Sequence, residues 1–125
     1  MQRRHCLSWI AATAALCAAT PTWAQPDWPS KPIRFVLSQP AGSGPDAVAR
    51  LIGNELGPRL GQPIIVDNKP GGQNAIGAQA AARAPADGYT FYFTTAAALV
   101  TNPFLFKSLP YDPRKDFTSV GMVGV

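Results

Sequence analysis

The sequence predicts an α/β fold with a mostly parallel sheet. Short runs of β-branched and aromatic residues alternate with longer segments whose apolar residues recur at helical spacing. A loop rich in Gly, Pro, Asn or Thr follows each of the first three runs, at 38–46, 67–74 and 94–102. Strands that alternate with helices favour parallel pairing, and loops after parallel strands share one edge of the sheet. We therefore expect these three loops to converge.

The first 24 residues are typical of an export signal that is removed from the mature protein. Arg3 and Arg4 precede an alanine-rich apolar run at 7–19, and the segment ends in the small residue Ala24. A membrane anchor is less favoured, because a bilayer span needs about 20 apolar residues. We expect cleavage after Ala24 and a mature segment at 25–125.

The composition of the mature segment excludes several kinds of chemistry. Its length suits one small domain. Cys6, Cys17 and His5, which are all the cysteine and histidine of the chain, lie in the signal segment. Disulfides, Cys or His nucleophile–base pairs and the usual zinc sites are therefore excluded. The charges are scattered, with a small positive excess and no basic run, so nothing favours nucleic-acid binding.

The first predicted elements are a buried strand at 33–37 and a helix at 47–60. Pro45 suits the first turn of the helix, Asp46 is an N-cap or first-turn acid, and Gly61 ends it. The apolar face of the helix is predicted to comprise Val48, Leu51, Ile52, Leu56 and Leu60.

The later elements follow the same alternation of strands and helices. Asn74 precedes the second helix, where its side chain could cap the helix or point into the cleft, and capping is favoured. The predicted elements are a strand at 63–66, a helix at 75–84, a strand at 89–94, a helical turn at 103–107 and the start of a fourth strand at 120–125.

The turn at 40–46 is predicted to hold an anion. The first N–H groups of a helix are unpaired and carry partial positive charge, and glycine lets a ligand approach the backbone. In this interpretation the donors are the N–H groups of Gly42, Ser43 and Gly44, which face the hydroxyls of Thr94 and Thr95 and the N–H of Ala96. An equally good interpretation is that the glycines only form the turn and the threonines at 94–95 only end a strand.

A dinucleotide site is one alternative for the same turn. Gly42, Gly44 and Ala47 satisfy the G-x-G-x-x-A pattern, and Asp67 lies where a ribose-binding acid is expected. Four residues separate the strand from Gly42, Pro45 stiffens the turn, and export removes the chain from NAD pools. These three points argue against the dinucleotide site.

Two further alternatives are weaker. Ser43 is not within a G-x-S-x-G motif, and no histidine is present to act as its base. Asp46 and Asp67 are two acids without the spaced cluster that a metal site needs, so a helix cap and a loop residue describe them better.

Five stretches in register along the mature segment carry a family resemblance. They are Trp28-Pro29-Ser30-Lys31-Pro32-Ile33-Arg34; the Pro/Gly turn ending in Asp46 with Ala49-Arg50-Leu51; Leu60-Gly61-Gln62-Pro63 to Asn68-Lys69-Pro70-Gly71; Ala86-Asp87-Gly88-Tyr89-Thr90; and Asn102-Pro103 with Leu109-Pro110-Tyr111-Asp112-Pro113 and Asp116-Phe117. Together they resemble the Bug (TctC-like) solute-binding proteins, the periplasmic receptors of tripartite tricarboxylate transporters.

The resemblance implies a periplasmic-binding-protein-like (Venus flytrap) receptor with two α/β domains. Such a receptor is a periplasmic monomer that binds a small carboxylate and delivers it to the membrane subunits of the transporter, without catalysis, metal or cofactor. Loops after the strands of its first domain hold the carboxylate. Carried over to this sequence, the binding residues are Ala41, Gly42, Ser43, Gly44, Asp46, Thr94, Thr95, Ala96 and Ala97.

This chain departs from the family pattern in its turn and in its length. Ala41 replaces a proline, Ser43 replaces a glycine and Pro45 is added, so ligand choice is expected to differ. Family members run to about 300 residues by the same resemblance. We therefore expect residues 25–125 to be the N-terminal part of the binding protein, truncated, with its first domain incomplete, its second domain absent and tight binding lost. The alternatives are an exported dinucleotide-binding enzyme fragment and a non-functional truncated product.

Overall fold

The computed structural model describes residues 27–124, which contain a three-stranded parallel sheet. The strands are β1 (Ile33–Leu37), β2 (Ile64–Asn68) and β3 (Thr90–Phe93), in the spatial order β2-β1-β3. The helices are α1 (Gly44–Leu60), α2 (Ala75–Ala82) and α3 (Asn102–Leu105), with a 3₁₀ turn at Gly72–Asn74 and a π turn at Ala97–Thr101. The α/β class and the parallel pairing predicted from the sequence are confirmed.

Helix α1 begins three residues earlier than predicted. Ser43 is its N-cap, and the Ser43 hydroxyl accepts a 3.4 Å hydrogen bond from the Asp46 backbone N–H. Gly44 and Pro45, which look like turn residues in the sequence, form the first turn, and Asp46 is a first-turn acid. Gly61 ends α1 in the left-handed conformation, with φ of 69°.

The buried face of α1 differs from the predicted apolar face. Its fully buried positions are Asp46, Ala49, Gly53 and Gly57, whereas Val48 and Leu51 are 40% and 64% exposed. A Cβ atom added at Gly53 would lie 3.4 Å from the Cβ of Ile64. The small residues let the helix approach β2 closely, and this close approach turns the larger side chains to the flanks. The predictions for Val48 and Leu51 are therefore wrong.

The two faces of the sheet have different coverings. On the α1 face, the Phe35 ring packs 5.9 Å from Phe91 and 6.3 Å from Phe93, measured between ring centroids. Helix α2 covers the other face, where Val36 and Ala78 are fully buried. The core cluster on the α1 face consists of Ile33, Phe35, Leu37 and Ala49, with Ile52, Leu60, Ile64, Val66, Tyr89, Phe91 and Phe93 packed against it.

The predicted fourth strand is wrong within 120–124, which forms no regular structure; Val125 lies outside the described residues. Val120 and Met122 are 81% and 80% exposed. A run of β-formers becomes a strand only when a neighbouring strand pairs with it, and nothing in the described part of the chain does so. The predicted signal segment at 1–24 also lies outside the described residues, and none of the helices within 27–124 could cross a bilayer.

Candidate ligand-binding site

The ends of β1 and β3 meet at one edge of the sheet. Leu37 pairs with Phe93 in the parallel register, which places Ser38 beside Thr94 one residue further on. The hydroxyl oxygens of Ser38 and Thr94 lie 2.7 Å apart, and Ser38 is 2% exposed. The loops after β1 and β3 are therefore joined by a hydrogen bond at their first residues.

The loop after β2 reaches the same edge. The Asn68 amide donates to the Gln39 carbonyl at 3.1 Å and to Asp46 Oδ1 at 2.9 Å. Further along this loop, the Gln73 carbonyl accepts a 2.7 Å hydrogen bond from the buried Asn102 amide. The predicted convergence of the three loops is confirmed.

Asp46 satisfies donors inside the turn. Its Oδ2 atom accepts from the Gly42 N–H at 2.9 Å and from Arg50 Nε at 3.0 Å, and the residue is 3% exposed. Hydrogen bonds from Arg50, then from the Gly42 N–H and Asn68, lower the pKa of Asp46 from 3.8 to about 2. A positive φ of 82° at Gly42 bends the turn back toward this carboxylate.

The N–H groups of the turn are therefore not all available to a ligand. The Gly42 N–H donates to Asp46, and the Ser43 N–H donates to the Pro40 carbonyl at 3.3 Å. For the Gly44 N–H, no acceptor is present among residues 27–124. Of the three backbone donors expected from the sequence, the structure leaves only that of Gly44 without an acceptor among residues 27–124, and Gly44 and Ala41 are both exposed.

The residues expected on the opposite side follow β3. Thr94 is half-buried and its hydroxyl is engaged with Ser38, whereas Thr95 and Ala96 are exposed. Within the described part of the chain, the N–H groups of Thr95 and Ala96 have no acceptor. Ala97 is half-buried and begins the π turn. This side thus offers exposed backbone donors without a positively charged side chain.

Sequence reasoning missed Ser38, Asn68 and Tyr92 as parts of this edge. The Tyr92 hydroxyl donates to the Asn74 carbonyl at 3.2 Å, and burial raises the pKa of Tyr92. Asn74 occupies the N-cap position of α2, but its side chain makes no capping hydrogen bond, so the capping hypothesis is wrong. Ser38 and Thr94 are each a small polar residue directly after an apolar run, and this shared pattern could have indicated that their hydroxyls meet.

The dinucleotide alternative fits the geometry poorly. Ala47, which would allow close packing of helix against strand, is exposed. The Asp67 carboxylate, proposed for a ribose, lies 3.4 Å from Lys69 Nζ and 3.9 Å from an Arg34 guanidinium nitrogen. No cluster of three or more potential metal ligands occurs among the described residues.

The comparisons with known proteins all indicate the same family. The model of the tripartite tricarboxylate transporter family receptor matches residues 48–124. A UPF0065 protein of Bordetella bronchiseptica is 43% identical over 114 residues, which cover 91% of this chain and 34% of that protein. The chain therefore spans about a third of the length of this curated relative.

Solved structures of similar proteins agree with the fold. MatC from Rhodopseudomonas palustris, solved with bound malate, has a TM-score of 0.68 and 35% identity, over 73% of this chain and 31% of that one. The R. palustris protein Rpa4515, solved with adipate, has a TM-score of 0.67 and 36% identity, over 70% and 29%. In both cases the match covers less than a third of the longer chain.

Proposed function

The chain belongs to the tripartite tricarboxylate transporter receptor family, and on that premise we propose that it serves as an exported solute-binding receptor. Residues 1–24 direct export and are removed after Ala24, and 25–125 form the N-terminal part of the binding protein in the periplasm. The receptor captures a small carboxylate as a monomer. It passes the ligand to the membrane subunits of the transporter and performs no catalysis.

The observation that supports carboxylate capture is a set of exposed backbone donors, without acceptors among residues 27–124, on two joined loops. The Gly44 N–H lies at the start of α1, and those of Thr95 and Ala96 follow β3. The Ser38–Thr94 hydrogen bond joins the two loops. Neutral N–H donors at a helix start stabilise a carboxylate without proton transfer. The malate and adipate bound by the two similar proteins are both dicarboxylates.

The donors are exposed, so we expect weak binding that is best followed residue by residue. The experiment is a titration of the ¹⁵N-labelled chain with malate or adipate, monitored by amide chemical shifts. Shifts are expected at Gly44, Thr95 and Ala96, with adipamide as the uncharged control ligand. If neither dicarboxylate moves these amides, carboxylate capture by this edge is refuted.

Gly44→Pro isolates the contribution of one donor. Proline is favoured at the first helical position, and Ser43 already has the extended backbone that a following proline requires. An added Cβ at residue 44 precedes Pro45 in both Gly44→Pro and Gly44→Ala, so the two variants share this crowding. Because a hydrogen bond to a charged group contributes about 1.5–3 kcal/mol, affinity should fall about tenfold or more. Gly44→Ala, which keeps the N–H, is the matched control and should bind as the wild type does.

A further inference from the structure

The Asn68 side chain is fully occupied by the protein. Its two N–H groups reach the Gln39 carbonyl and Asp46 Oδ1, and its carbonyl oxygen accepts from Arg50 Nη2 at 3.2 Å. These partners also fix the orientation of the amide, because exchanging oxygen and nitrogen would place donor against donor. Asn68 thus links the end of β2 to both ends of the turn after β1.

The Asp46 carboxylate is equally occupied. Its two oxygens accept three hydrogen bonds, from the Gly42 N–H, Arg50 and Asn68, and the residue is almost completely buried. An anionic ligand gains nothing by approaching this buried carboxylate, because the like charge repels it and the surrounding donors already bind Asp46. The Gly44 N–H is two residues from both Gly42 and Asp46, so its direction follows from how the Asp46 carboxylate holds the turn.

We propose that Asn68 and Asp46 are positioning residues that hold the turn so that the Gly44 N–H faces the carboxylate ligand, without touching the ligand themselves. The inference rests on the proposed function. Removing the Asn68 amide leaves Asp46 Oδ1 and the Gln39 carbonyl without their partner. Asn68 is half-buried, so water can enter the space that Asn68→Ala leaves and replace the amide. The fold survives, but the turn is no longer fixed.

The test is a double-mutant cycle between Asn68→Ala and Gly44→Pro, read by the malate titration. If Asn68 acts through the Gly44 N–H, Asn68→Ala weakens malate binding about tenfold in the chain that keeps this donor. In the Gly44→Pro background the donor is already absent, so Asn68→Ala should then change the affinity by less than about twofold. A purely structural role would weaken binding equally in both backgrounds.

Two further variants keep the result decisive. Asn54→Ala changes an exposed asparagine on α1, away from the turn, and should leave the malate affinity unchanged. Arg50→Ala removes a half-exposed donor to Asp46 and to Asn68, and it should repeat the pattern more weakly if Asn68→Ala does not fold.

The outcomes separate the two proposals. Wild-type binding with an equal effect of Asn68→Ala in both backgrounds, or with no effect in either, overturns the positioning role and leaves carboxylate capture intact. Absence of malate and adipate binding by the wild-type chain overturns carboxylate capture and the positioning role together. An effect confined to the chain with Gly44 supports both.

Discussion

Gly77→Ala tests the contact between α2 and the ligand-binding edge. A Cβ atom at Gly77 would lie 2.9 Å from both Cα and Cβ of Ser38 and 3.1 Å from the Lys69 carbonyl oxygen. None of these atoms belongs to the far end of a flexible side chain, so no rotamer change relieves the overlap. Helix α2 therefore has to move away from the sheet at Ser38, whose hydroxyl is hydrogen-bonded to that of Thr94.

The magnitude follows from two opposing contributions to the free energy of unfolding. Overpacking of this kind costs about 1–3 kcal/mol. Alanine is favoured over glycine within a helix by about 1 kcal/mol. Because two atoms lie below 3.0 Å, we place the overpacking cost in the upper part of this range, at about 2–3 kcal/mol. The net loss is then about 1–2 kcal/mol, which lowers Tm by roughly 4–16 °C in a domain of this size.

Thermal unfolding followed by circular dichroism measures the effect. Gly121→Ala is the control, because nothing lies within 4 Å of its added Cβ and no proline follows it, and its Tm should stay near that of the wild type. Gly77→Ala should also shift the amide signal of Thr94. A Tm for Gly77→Ala equal to or above the wild-type value would refute the close packing of α2 on Ser38.

Two more predictions concern buried hydrogen bonds. The pKa of Asp46 is lowered in the fold, so its contribution to stability is complete above pH 3.8 and is lost as the pH falls through about 2. Urea unfolding across this pH range should show a smaller acid-induced loss of stability for Asp46→Asn than for the wild type. Equal losses in the two proteins would contradict the lowered pKa of Asp46. Tyr111 is buried, and its hydroxyl donates to the Ala98 carbonyl at 2.5 Å and accepts from the Asn102 amide at 3.4 Å. Tyr111→Phe should lower the free energy of chemical unfolding by about 1–3 kcal/mol. A loss below about 0.5 kcal/mol would show that the Ala98 carbonyl and the Asn102 amide find other partners.

The strands could be predicted because their signals are local. Ile33–Leu37 was predicted with its observed bounds, since a run of apolar residues ends at both sides in polar or turn-forming residues. The rotation of α1 could not be predicted, because it depends on how closely the helix approaches Ile64 rather than on the spacing of its own residues. Hydrophobic periodicity predicts that Leu51 lies on the buried face of α1, but the close approach of helix and strand places Gly53 and Gly57 there instead.

The candidate site was predictable in its position and not in its internal bonding. Parallel strands imply that their following loops meet, and the Ser38–Thr94 pair bears this out. The partners of Asp46 depend on the bend at Gly42 and on Asn68, which is 22 residues away in the chain. A glycine-rich turn before a helix does not reveal whether its donors face a ligand or the protein's own carboxylate.

The strand order has a consequence for how the protein folds. The first strand along the chain lies in the middle of the sheet, so β1 gains its neighbours only when Ile64 and then Thr90 reach it. Pairings of such long sequence separation form slowly, because chain entropy is lost before the contacts reward it. Ser38 and Thr94 are 56 residues apart and meet only after β3 has docked. A chain in which β3 has not docked therefore lacks the binding edge, and the appearance of ligand binding during refolding reports completion of the sheet.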